Sequence, residues 1–370
     1  RDPLWSRGLG DVYKRQLPAD GIDLSTNVPV HDGGSDDLSR TLQRLIADGR
    51  LDALQAYAPA ELEQRGRVAV SQWLQQRGVH TPPSQVALCA GAQQGVSAAL
   101  LALCEAGDPV LAEAFTAPGI KAAARQLRLP LHGVAMDERG ILPQDLDRQV
   151  RATGARVLVL TPCLQNPTGS SMDGERRQRI AELIERHGLW LIEDDVYGAL
   201  GEQAPLAATV PARSLLVSSL SKTVAPGLRL GFMQGPQALL KRIDPQGHAT
   251  SWAVSPLCLA LACEWIEDGT ATRKLAWQRE ELQQRWRLAN RVLGPRMPPG
   301  REVAPHLWLQ PPDSAALVAA CRAADVEVVP AEVFAVGPAQ ASAIRISLAA
   351  ARSRAELKQA LERIAEAWPL

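Results

Sequence analysis

The sequence predicts an α/β protein in two parts: a large α/β/α domain with a mostly parallel sheet, and a smaller α+β domain. Three observations carry this. Between residues 86 and 233 short apolar runs alternate with helical patterns, the order that builds a parallel sheet. Val157–Leu160 is continuously apolar, as in a strand covered on both faces. A long amphipathic stretch, Ala271 to Leu293, then leads into a closing segment of mixed short strands and helices. A chain of 370 residues can bury a large core and form more than one lobe.

Taken in order, Gly21 to Ser25 reads as a strand that Asn27 and Pro29 break. Helices are expected over Asp37–Asp48 and over Arg65–Arg77, where Val68, Val70, Trp73 and Leu74 form an apolar stripe. Val86–Cys89 is a strand that gives way at Gly91-Ala92-Gln93-Gln94-Gly95 to a helix over Val96–Cys104. Strand Val110–Glu113, helix Gly119–Leu127 and strand Leu131–Val134 follow. Val157–Leu160 stops at Thr161-Pro162, as a central strand feeding a functional loop should. Then come helix Arg176–His187, strand Leu189–Ile192, and strands over Ser214–Ser218 and Leu228–Met233. His187 is expected to meet the last carbonyls of its helix before Gly188. Arg354 to Trp368 closes the chain with strong helix formers.

The expected division is 17–50 as an N-terminal segment of the small domain, 51–270 as the large domain, 271–293 as a linking helix and 294–370 as the small C-terminal domain. Residues 1–16 start with Arg, lack periodicity and read as a linker remnant or a non-native segment.

Forty basic and forty acidic residues balance, which argues against a dedicated nucleic-acid surface. The six cysteines, at 89, 104, 163, 258, 263 and 321, show no zinc spacing and read as reduced thiols, and the six histidines do not cluster. No apolar run spans a membrane and no secretion signal is visible, so the reading is of a cytoplasmic protein without a membrane partner or a metal.

Chemistry concentrates in a few short segments. In Ser219-Leu220-Ser221-Lys222, followed by Ala225-Pro226-Gly227-Leu228-Arg229, the lysine can form an imine with an aldehyde once burial or nearby charge frees its amine. Arg229 offers rigid donors to a phosphate, Ser219 adds a hydroxyl beside Ser221, and backbone N–H groups at Ala92 and Gln93, where a strand gives way to a helix, can hold an anion. Asp194 follows an apolar strand, where its carboxylate can pair with a protonated pyridine nitrogen; Asp195 is the alternative for that role. Tyr197 and Asn166, in Asn166-Pro167-Thr168-Gly169, can hold a ring oxygen. Arg345, between Ile344 and Ile346, suits a substrate carboxylate in bidentate fashion, with an outward-facing surface charge as the alternative. A lysine, an acid, an arginine and an Asn-Pro turn in this order suit pyridoxal 5′-phosphate.

These blocks, over roughly residues 20 to 370, resemble the fold-type I, class I/II aminotransferases that depend on this cofactor. The resemblance implies Lys222 as the Schiff-base lysine and base at Cα, Asp194 as the ring-nitrogen partner, Asn166 and Tyr197 as ring-oxygen contacts, and Arg345 as the carboxylate binder. It implies transfer of an amino group between an L-amino acid and a 2-oxo acid. It also implies a homodimer in which Tyr57 reaches the neighbouring phosphate. The phrases Asp23-Leu24-Ser25-Thr26-Asn27, Thr161 to Gly169 and Ser221 to Phe232 are most similar to the aminotransferase-like domain of MocR/GntR-type regulators. On that alternative the chain is a sensing domain, and DNA is a partner only through a winged helix-turn-helix placed before residue 1. Two departures favour a third reading, a dimeric scaffold without turnover. Leu62 stands where the pattern has glycine, and Ala117 where it has an aromatic stacked on the cofactor, with Phe115 as a possible substitute.

Overall fold

The computed structural model describes residues 21–33, 35–251, 253–298, 302–338 and 341–369. Residues 1–16, read above as a linker remnant, lie outside the described residues.

Seven strands form the large sheet, in the spatial order Val86–Cys89, Gly231–Gln234, Ser214–Ser219, Trp190–Asp194, Val157–Leu160, Val110–Glu113 and Leu131–Val134. All run parallel except Gly231–Gln234, which pairs antiparallel with both neighbours. Val110–Glu113, Val157–Leu160 and Ser214–Ser219 are buried throughout, because helices cover both faces. One layer packs Val96, Leu100, Ile120 and Ile243 against the sheet; the other packs Leu146, Ile180 and Ile184. Crossover helices are Ala92–Leu103, Pro118–Gln126, Pro143–Thr153 and Gly174–His187.

The smaller domain holds an antiparallel sheet in the order His306–Leu309, Ile344–Ser347, Val329–Pro330. Ile22–Asp23 pairs in parallel with Val326–Glu327, so the start of the described chain joins this domain. On the helix Thr270–Leu293, Glu281 receives Arg285 and Arg354, which fastens the closing helix Arg354–Glu366 to it.

Several boundaries differ from the sequence reading for local reasons. The second helix begins at Ala60, ahead of Arg65, because Pro59 opens it and Glu61 and Glu63 complement its first turn. The helix after Val86–Cys89 starts at Ala92 rather than Val96, directly behind Gly91. The strand read as Leu228–Met233 starts at Gly231, since Pro226–Leu228 make a 3₁₀ turn and Arg229 takes a left-handed conformation, φ 47°. Gly188 does end its helix in the left-handed region, but His187 meets Asp147 at 2.7 Å rather than the terminal carbonyls.

Candidate active site

The parallel strands point their C-terminal ends at one cavity of about 610 Å³. Ala92, Gln93, Asn166, Asp194, Tyr197, Ser219, Ser221, Lys222, Arg229 and Arg345 all line it. Tyr57, at 73 % exposure, and Asp195, the alternative to Asp194, lie outside its lining.

One end of the cavity gathers hydrogen-bond donors. The helix Ala92–Leu103 opens there with its first backbone N–H groups, beside Ser219, Ser221 and Arg229. Close packing of main chain sets this up. A Cβ on Gly231 would come within 2.7 Å of the Ala92 nitrogen, and one on Gly91, whose φ is 94°, within 2.6 Å of Arg229 Nη2. The Ser221 amide donates to Ser219 Oγ at 3.3 Å. Ser221 Oγ and Thr161 Oγ1 are buried with no hydrogen-bond partner among the described residues, so each still has a hydrogen to give.

At the centre, the two adjacent acids part company. Asp194 lines the cavity, and burial pushes its carboxyl up to about 6 against the pull of Lys222. Asp195 turns away and pairs with Arg77 at 3.1 Å, both side chains almost fully buried. Behind Asp194 lies Glu113, which burial pushes up to about 8; its Oε1 accepts the Thr161 amide at 2.6 Å. Lys222 Nζ donates to the Asn27 carbonyl at 2.5 Å.

The opposite wall comes from the small domain and the N-terminal segment. Arg345 lies in the central strand of the small sheet and is 6 % exposed, so it is not a surface charge. Its guanidinium donates to Asn166 Oδ1 at 2.9 Å and to the Ser25 carbonyl, and stands 4.9 Å from the Phe334 ring centroid. Tyr197 Oη accepts from Asn27 Nδ2 at 3.1 Å, and burial raises the phenol. Asn27 and Thr161 also line the cavity, and His306 stands behind Asn27. Sequence reasoning gave none of these three a role: Asn27 entered as a strand breaker and within Asp23-Leu24-Ser25-Thr26-Asn27, Thr161 as a strand end and the start of Thr161 to Gly169, and His306 only as one of six scattered histidines.

The position of Ala117 lines the cavity at the start of helix Pro118–Gln126. Phe115 does not take its place. It packs on Trp308 with ring centroids 5.4 Å apart and is not part of the cavity lining.

Residues 19–364 match the family described as aminotransferase class I and II. The chain belongs to that family. Among curated proteins, this aminotransferase-family chain is 27 % identical over 350 residues to the uncharacterized HTH-type transcriptional regulator YdeF of Bacillus subtilis, covering 93 % of this chain and 76 % of YdeF. It is 29 % identical over 224 residues to YisV, a second such regulator of that organism, covering 59 % of this chain and 46 % of YisV. The match thus spans about half the length of the second regulator. Among solved structures it is similar to LysN, the α-aminoadipate aminotransferase of Thermus thermophilus, complexed with N-(5′-phosphopyridoxyl)-L-leucine. The TM-score is 0.84 at 22 % identity, over 99 % of this chain and 98 % of that one. At that identity the likeness shows the fold, which is the two-part α/β architecture of fold type I.

Proposed function

We propose that this chain is a pyridoxal 5′-phosphate-dependent aminotransferase. The observation that carries it is the convergence of Lys222, Asp194, Arg229 and Arg345 on one cavity with Asn166 and Tyr197 between them. The residues present fit the cofactor. Its phosphate would lie against the main chain at Ala92 and Gln93, with Ser219, Ser221 and Arg229. The Ser221 hydroxyl, buried with no partner among the described residues, supports this.

When bound, the cofactor supplies an aldehyde carbon for an amine and a ring that withdraws electrons from the substrate Cα. Lys222 Nζ would hold it covalently and, once released, hold and move the proton at the substrate Cα. Asp194, pushed to about 6 by burial, would be kept ionised by a ring N–H⁺ and would in turn keep that proton in place. Tyr197 and Asn166 would donate to the ring oxygen. Arg345 would bind the α-carboxylate of an amino acid or a 2-oxo acid.

The exposed Tyr57 supports a homodimer in which that ring serves the partner's site. A second reading is a ligand-sensing domain of a transcription regulator, with DNA bound through a winged helix-turn-helix outside this chain. It is supported by the likeness to YdeF and YisV. Among the described residues no helix is long and apolar enough to cross a membrane; we place the protein in the cytoplasm.

The test is visible absorption of the purified chain with pyridoxal 5′-phosphate and then a panel of amino acids. The expected result is a bound-cofactor band that Lys222→Ala lacks and that disappears as 2-oxo acid forms. A lysine-dependent band that persists with every amino acid would favour the sensing domain. The same spectrum in Lys222→Ala would overturn both readings.

A further inference from the structure

Behind Tyr197 lies a chain of hydrogen bonds whose direction can be worked out from its far end. His306 Nε2 is 2.9 Å from the Gln165 carbonyl oxygen. His306 Nδ1 is 2.9 Å from Asn27 Nδ2, and Asn27 Nδ2 is 3.1 Å from Tyr197 Oη. All three side chains are nearly inaccessible, at 1 % for His306, 5 % for Asn27 and 4 % for Tyr197. The imidazole and phenol rings meet edge-on, 5.5 Å apart at 69°.

A carbonyl only accepts, so the imidazole hydrogen sits on Nε2. In a neutral ring Nδ1 then only accepts, and Asn27 must turn its NH₂, not its oxygen, toward His306. The second hydrogen of that NH₂ goes to Tyr197 Oη. The phenol therefore accepts from Asn27 and keeps its own hydrogen for another partner. Asn27 Oδ1, on the far side of the amide, is buried without a partner among the described residues. Asn166 is set the same way: the donor-only guanidinium of Arg345 occupies its Oδ1 and leaves its NH₂ to donate.

We infer that His306 is a positioning residue which, through Asn27, directs the Tyr197 hydroxyl hydrogen into the cavity, toward an acceptor oxygen of the bound ligand. With the cofactor proposed above, on which this inference rests, that acceptor is the ionised ring oxygen. The segment that does this spans the whole molecule, since Asn27 comes from the N-terminal segment, His306 from the small sheet and Tyr197 from the end of a large-sheet strand.

The experiment uses the full chain with ¹⁵N-labelled histidine, read by long-range ¹H–¹⁵N spectra without cofactor and assigned among the six histidines by His306→Gln. His306 should carry hydrogen on Nε2 only. The opposite tautomer, or a ring protonated on both nitrogens at neutral pH, overturns the inference. The second arm adds pyridoxal 5′-phosphate. Asn27→Asp keeps the shape but offers only acceptors, so Tyr197 turns its hydrogen to it. Asn27→Asp and His306→Leu should lose at neutral pH the long-wavelength absorption of an ionised ring oxygen. His306→Gln, which offers both an acceptor and a donor, should keep it. Wild-type spectra in both Asn27→Asp and His306→Leu would overturn the inference while leaving the cofactor reading intact. If wild-type protein shows no lysine-dependent band, the cofactor reading fails and the tautomer alone decides the hydrogen-bond direction.

Discussion

Asp194 to Arg229, on the large-sheet wall of the cavity, come from two successive strand ends close in sequence, whereas the opposite wall joins segments hundreds of residues apart. Asp194 and Tyr197 leave one strand end, and Ser219 to Arg229 leave the next. Facing them, Arg345 reaches Asn166 across 179 positions and the Ser25 carbonyl across 320, and Asn27 reaches His306 across 279. The first wall stands on ladder hydrogen bonds and buried acids behind it. The second depends on how the small domain and the N-terminal segment sit against the sheet. Changes behind the first wall should register as stability, and changes in the second as altered ligand binding.

The largest effect is expected behind the sheet wall, at Arg77. Its partner Asp195 is buried, and burial raises that carboxyl while Arg77 opposes the rise. Arg77→Ala removes the hydrogen-bonded partner of a buried carboxylate, leaving it only the electrostatic pull of Arg177, and should cost about 3–5 kcal/mol. Urea unfolding of the cofactor-free chain measures this. A loss of under about 1 kcal/mol, the size of an exposed pair, would mean that the sheet wall does not rest on this contact.

A gentler effect, read as a slope, is expected at Glu113. Burial lifts it from 4.5 to about 8, so the folded chain keeps a proton that the unfolded chain releases above about 4.5. The folded state binds more protons in that window, and stability falls as pH rises from about 4.5 through about 8. Glu113→Gln keeps an acceptor for the Thr161 amide and should flatten part of the slope. Glu193, also pushed to about 8 by burial, and Asp194, pushed to about 6, add to the same slope. Urea midpoints across this range decide it. An unchanged slope would mean that Glu113 is ionised in the folded chain.

The same contrast explains how much was legible in the sequence. The fold and the sheet wall could be read because an apolar strand and the polar residues at its end lie in one short window. Lys222, Arg229 and Asp194 each stand within a few residues of a strand whose pattern is plain. Asn27 and His306 carry no such signal, since an asparagine after a short strand and a histidine beside Leu-Trp-Leu look like many others. Their pairing follows from register between Ile22–Asp23 and Val326–Glu327 and within the small sheet, which local pattern does not specify. The sequence reading preferred Asp194 to Asp195 on resemblance, but the reason Asp195 turns away was closed to local pattern, because it is Arg77, 118 positions from Asp195.

The smallest effect concerns Ala117, where the two walls meet. The aromatic two positions earlier, Phe115, looked available from spacing to cover the cofactor face. It instead bridges to Ala335 and packs with Trp308, in the same apolar cluster as Phe334, so it serves the small-domain wall. Ala117 keeps a place in the cavity lining and offers a methyl group only. Ala117→Tyr would set a ring against the bound cofactor, a contact worth about 0.5–1.5 kcal/mol beyond its area. Cofactor affinity should rise about two- to tenfold, measured by titration of the bound-cofactor absorbance. Phe115→Ala is the matched control. It should lower unfolding stability and leave cofactor affinity nearly unchanged, because its ring stands outside the cavity. If instead Phe115→Ala weakens the cofactor and Ala117→Tyr does not strengthen it, Phe115 swings into the site when the ligand is bound. The division between the two walls would then hold only for the ligand-free chain.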